Sequence, residues 1–157
     1  MRLNIDYNDR FLQGMISGGV AGIIVNVLCL LLKRFNVVQF KFLEYATLHI
    51  LGNPFGKDSL LEFAFSALLS IMFMMTIGVL FVYMIYFVGR KNLYIKSFLF
   101  GNVVLYTWYH FLLVTMTNFI PEVSVEVAMV DTIIASLFGL LMGVIYQKIS
   151  IRHQQEI

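Results

Sequence analysis

Four stretches of this sequence, residues 11–32, 63–88, 97–119 and 127–147, run for the thickness of a membrane with almost no formal charge. Crossing a hydrocarbon core of about 30 Å takes ~20 helical residues. Within that core each backbone N–H and C=O must find its partner inside the protein, which leaves a helix as the structure for a run of this length and hydropathy. The expected fold is therefore all-α: an integral membrane four-helix bundle, one transmembrane domain over residues 1–157. Composition agrees, since 60% of residues are hydrophobic and 13% charged, against roughly 25% charged in soluble domains. The second run would be about 39 Å long at 1.5 Å per residue, so it should tilt or project beyond the bilayer.

The connections refine this picture. Asp6, Asn8 and Asp9 offer N-cap chemistry before the first span,. No small-residue cleavage site follows that run at the usual distance, so residues 11–32 read as a retained span. Between spans one and two, residues 37–52 mix Phe40, Leu43 and Leu51 with Lys41, Glu44 and His49 and end in Gly52-Asn53-Pro54. That pattern suits an amphipathic helix lying in the membrane interface. Ser59 and Glu62 have capping-box spacing at the head of the second span, and the short turn at residues 88–93 makes spans two and three antiparallel. Seven cations flank one side (Arg2, Arg10, Arg90, Lys91, Lys96, Lys148, Arg152) against four on the other (Lys33, Arg34, Lys41, Lys57). By the positive-inside rule both termini lie in the cytoplasm of a multi-pass cell-membrane protein. A net charge of +2 is too small and too scattered for a nucleic-acid partner.

Two kinds of residue stand out inside the spans. Gly14, Gly18 and Gly22 recur at i, i+4 and i+8 in the first, and Ala135, Gly139 and Gly143 do so in the fourth. Such stripes let backbones approach closely, as in right-handed crossings near −40°. We expect these six to be helix-packing residues that set span one against span four, with a seam between two copies of the chain as the other use. The second kind is polar. Asn26, His110 and Asp131 fall within spans one, three and four and Glu62 at the outer start of span two, so each helix brings one polar group to the outer half, where an ionisable group is costly and points to function,. Facing inward, they would form a polar pocket of two carboxylates, an imidazole and an amide. Tyr106, Trp108 and Tyr109 are expected to pack inward beside His110, and Tyr83, Tyr86 and Tyr94 to anchor the cytoplasmic interface. The run Ile71–Met75 points all round its helix and reads as ordinary packing.

Enzymatic signatures are missing: there is no G-x-S-x-G, H-E-x-x-H, Walker loop or C-x-x-C,. The three histidines lie in separate segments without metal-ligand spacing, and the single Cys29 reads as a buried apolar thiol,. No metal, cofactor or catalytic residue is therefore expected. In Gly18-Gly19-x-Ala21-Gly22-x-x-x-Asn26, Lys96-Ser97-x-x-x-Gly101 and Ala135-Ser136-x-x-Gly139-Leu140, the chain resembles a group of uncharacterised small four-span membrane proteins of bacteria, many of them sporulating Gram-positives. The resemblance implies an integral membrane protein and supplies no catalytic residue. Two functions follow as expectations. One is a non-enzymatic accessory or structural membrane component, whose partners are the lipid bilayer and a second copy or another membrane protein. The alternative is a small transport or sensing module whose outer-leaflet pocket binds a cation or small ligand.

Overall fold

The structure, a computed structural model, describes residues 9–35, 60–115 and 125–154. They form four helices: α1 (Arg10–Arg34), α2 (Leu60–Val88), α3 (Leu93–Thr115) and α4 (Val125–Gln154). Three stretches, Arg10–Arg34, Phe63–Val88 and Val125–Ile151, are long and apolar enough to cross a membrane. The expected third span, residues 97–119, begins earlier, as a helix from Leu93, and does not join them among the described residues. Its described part carries Lys96, Asn102 and Thr107 among Tyr94, Tyr106 and Trp108, which dilute its hydropathy. The interfacial segment expected at residues 37–52, Ser59 and the connection at residues 116–124 lie outside the described residues.

Helix ends follow local chemistry. The Asp9 carboxylate accepts from the Phe11 N–H at 2.8 Å and so caps α1,. Lys33 and Arg34 close its last turn, where cations suit the helix dipole,. Between α2 and α3, Gly89 takes the left-handed backbone at φ +83°, which glycine adopts without steric cost, and Asn92 does so at φ 58°,. Lys96 then reaches back to donate to the Val88 and Gly89 carbonyls at 3.1 and 2.8 Å, satisfying acceptors that the end of α2 leaves open,.

Helix pairing differs from the sequence expectation. The α1 glycines do not meet the small stripe of α4; they meet α2. A methyl group built on Gly14 would lie 2.5 Å from the Val79 Cα, and one on Gly18 would lie 2.8 Å from the Gly78 Cα. The stripe of α4 meets α3 instead: a methyl on Gly101 would sit 3.0 Å from the Gly139 Cα, and one on Gly143 2.8 Å from the Ser97 Cβ. A glycine stripe specifies that some backbone comes close, not which one. The choice goes to the hairpin neighbour, because α2 supplies its own ladder at four-residue spacing, Ser66, Ser70, Met74 and Gly78, along its buried face. The two hairpins repeat one crossing. Gly18 faces Gly78 as Gly101 faces Gly139, and each missing side chain would strike the same pair of groups, a carbonyl oxygen and a glycine Cα.

The hairpins join along α1 and α4, which pack closely, whereas α2 and α3 keep their backbones apart. Aromatic rings fill that wider seam: Phe81 meets Phe100 at 5.4 Å between centroids, and Phe73 meets Trp108 at 4.7 Å. Phe81, Ile85, Val25, Ile134 and Met142 form the fully buried centre. Outward faces are apolar too, with Val20, Ile24, Val27 and Leu31 exposed along α1 and Leu68, Met72 and Leu80 along α2. Small residues thus line the two hairpin crossings, while large apolar ones both fill the centre and cover the outer faces,.

Candidate functional site

The four sequence-flagged polar residues lie on four different helices. Asn26 is in the last third of α1, Glu62 in the first turn of α2, His110 near the end of α3, and Asp131 in the second turn of α4. In an up-down-up-down bundle these positions share one end. The side chains of Glu62 and His110 lie outside the described residues, so the structure speaks to Asn26 and Asp131.

Asn26 is 8% exposed and exchanges both ends of its amide with Ser70 of α2: its Nδ2 donates to the Ser70 hydroxyl at 3.0 Å, and that hydroxyl faces its Oδ1 at 3.4 Å. Its partner is therefore Ser70, across the α1–α2 crossing, and not Asp131. Asp131 is 6% exposed, a carboxylate folded into the interior of a helix otherwise apolar enough to span. Placing charge there is costly, which keeps Asp131 a functional candidate on its position alone.

Sequence reasoning passed over a second amide. Asn102 of α3 donates through Nδ2 to the Ser136 hydroxyl of α4 at 2.9 Å and to the Phe98 carbonyl at 2.9 Å. Its Oδ1 is buried without a hydrogen-bond partner. Each hairpin thus has one Asn–Ser bond stapling its two helices beside the glycine crossing. The signal available was an Asn in each of the two odd-numbered helices with a serine on the next helix of the hairpin. Other hydroxyls bond within their own helices, Ser97 to the Leu93 carbonyl and Thr132 to the Ala128 carbonyl, each at 2.8 Å.

The aromatic expectation for α3 divides. Trp108 packs inward on Phe73, but Tyr106 points outward at 60% exposure, and the Tyr109 side chain lies outside the described residues. Tyr83, Tyr86 and Tyr94 are exposed toward the end that carries the α2–α3 turn. Methionine side chains at the middle of α2 spread around it, Met72 exposed and Met74 buried. Cys29 is buried and takes part in no disulfide among the described residues. Between α2, α3 and α4 lies a cleft of about 20 Å³ lined by Phe73, Met74, Ile77, Leu105, Trp108 and Phe138 among others. That is room for little more than one water, in a lining with nothing to hold it. Among the described residues no three His, Cys, Asp or Glu side chains come together.

Fold and interior define a class: an all-helical bundle of membrane type, held by two small-residue crossings and two interhelical amide staples. The chain matches no protein-family model and shows no significant similarity to any curated protein or solved structure.

Proposed function

We propose that this protein is a non-enzymatic, four-span integral membrane protein with both termini cytoplasmic, acting as a structural or accessory component that presents its outer faces to lipid and to a membrane-protein partner. The observation that carries this reading is the tight closure of both hairpins among the described residues. Both hairpins close backbone on backbone, and the cleft between α2, α3 and α4 is apolar and about 20 Å³, far below the roughly 300–1,000 Å³ of ligand pockets. A span at α3 is supported by register. Tyr94 bonds Gln147, Ser97 meets Gly143 and Gly101 meets Gly139, so α3 runs antiparallel along α4. A helix held in that way against a spanning one shares its depth. Orientation is supported by the exposed cations Arg10, Arg90, Lys91 and Lys148 at a single end of the bundle,.

Buried Asp131 favours the second reading, a cation-transport or sensing module that also uses Asn26, Glu62 and His110. The two separate in sealed vesicles holding a pH-sensitive dye. The structural reading expects proton and potassium flux no greater than in protein-free vesicles. Flux that appears with the wild type and disappears with Asp131→Asn would replace it.

A further inference from the structure

We infer that the end of the bundle carrying Arg10 and the α2–α3 turn is a binding surface for the headgroups of anionic phospholipids. The inference rests on the membrane reading above and goes beyond it in naming a lipid class and the side chains that select it. Among the residues whose side chains are described, five cations gather at this end, Arg10, Arg90, Lys91, Lys96 and Lys148, with Asp9 as the carboxylate there. The opposite end balances Lys33 and Arg34 with Glu126 and Asp131. Asp9 is already engaged on the Phe11 N–H. None of the five cations forms an ion pair among the described residues.

Two of the five are held by aromatic rings rather than left loose. The Arg10 guanidinium lies 3.7 Å above the centroid of Tyr86, which joins the start of α1 to the end of α2. The Arg90 guanidinium lies 5.5 Å from the centroid of Tyr146, which joins the turn to α4. Tyr146 is itself fixed by an edge-on contact with Phe81 in the core. A stacked guanidinium keeps its N–H fork free at the ring edge, in the geometry that grips phosphate oxygens in pairs. Lys96 does a different job: by donating to the Val88 and Gly89 carbonyls it masks the negative end of α2, which would otherwise repel an anion,. Depth completes the argument. Arg10 is the first residue of a helix of spanning length, and exposed Tyr83, Tyr86 and Tyr94 mark the level at which amphipathic rings meet headgroups,. The cations therefore stand at the height of lipid phosphates, and a phosphodiester carrying net negative charge is the ligand that fits.

The test is native mass spectrometry of the detergent-purified full chain, titrated in parallel with phosphatidylglycerol and phosphatidylcholine of equal chain length. Juxtamembrane cations each add measurably to anionic-lipid attraction, so phosphatidylglycerol should bind about tenfold or more tighter, and the Arg10→Gln/Arg90→Gln double variant should erase that preference. Lys33→Gln/Arg34→Gln, at the opposite end, should keep it. Equal binding of the two lipids by the wild type overturns the inference. So does a preference that survives in Arg10→Gln/Arg90→Gln, or one displaced by millimolar inorganic phosphate. If the double glutamine variant fails to fold by circular dichroism, Arg10→Lys decides, since it keeps the charge and loses the stacked fork: a reduced preference supports the site and an unchanged one refutes it. Failure to take up either lipid would instead strike at the membrane reading itself.

Discussion

Gly78→Ala is the smallest change that tests how this bundle is closed. A methyl group on Gly78 would sit 2.7 Å from both the Cα and the N of Gly18, and closer still to the Gly14 carbonyl oxygen. Carbon atoms attract at separations of about 3.5–4.0 Å, so α1 and α2 must part by roughly 1 Å at the crossing. All the nearest groups are backbone, and no side chain can swing aside. Overpacking of this kind costs about 1–3 kcal/mol. Parting also stretches the Asn26–Ser70 bond two turns away, 3.0 Å in the structure. Against this stands the better helix propensity of alanine, roughly 0.5–1 kcal/mol. The net expectation is a loss of about 1–2 kcal/mol, a factor of roughly 5–30 in the unfolding equilibrium. Gly19→Ala is the matched control on the facing helix α1: its methyl would meet the Met75 side chain at 3.1 Å, which can move, so stability should stay within about 0.5 kcal/mol of wild type. The assay is reversible unfolding in mixed micelles by titration with a denaturing detergent, followed by circular dichroism. Equal stability of Gly78→Ala and wild type, or an equal loss in Gly19→Ala, would refute the backbone-contact account.

Two further expectations follow from the same contacts. A double-mutant cycle of Asn26→Leu and Ser70→Ala in that assay should return a coupling of about 0.6 kcal/mol, the usual size of an interhelical hydrogen bond in a membrane protein; additive losses would mean that the amide and hydroxyl do not stabilise the pair. Cys29 is 1% exposed, so the folded wild type should resist a membrane-impermeant maleimide, whereas a cysteine introduced at Pro121 should label from outside intact cells. Labelling of Pro121→Cys from the cytoplasmic side alone would invert the proposed orientation.

What the sequence reveals here depends on whether a feature needs a partner to be interpreted. Span length needs none: the lipid is the partner, and three of the expected runs reappear as helices of spanning length and hydropathy. Pairing needs one. Gly14, Gly18 and Gly22 announce a close approach, and Ala135, Gly139 and Gly143 announce another, but nothing in either stripe says that the two are not each other's partners. Gly78 decides the matter, and it is easily missed because a single glycine in an apolar helix looks like tolerance rather than design. In the structure one residue suffices, since Gly18 lands on its Cα. Polar residues mislead in a related way. Asn26 draws attention and Ser70 does not, although the bond between them belongs to both. Tyr106 shows the limit for aromatics: a hydroxyl deep in an apolar run suggests an inward partner, yet the ring faces outward.

The repeated hairpin bears directly on α3, the helix whose own hydropathy argues least for the membrane. Three of its polar side chains have hydrogen-bond partners among the described residues. Lys96 sits at the bundle end and turns back to the Val88 and Gly89 carbonyls, so its charge stays at the surface. The Ser97 hydroxyl is spent on the Leu93 carbonyl. The Asn102 amide nitrogen is satisfied twice, by the Phe98 carbonyl and by Ser136, leaving one buried acceptor oxygen whose cost is about 1–3 kcal/mol,. Against that cost stands a crossing of the same construction as the one between α1 and α2, with Gly101 in the place of Gly18 and Gly139 in that of Gly78. If the first hairpin is stable in lipid through its backbone contact, the second has the same means available. On the four-span reading we propose, the depth of α3 is set by the helix it lies against, and its polar residues are tolerated because a partner helix and its own backbone satisfy them.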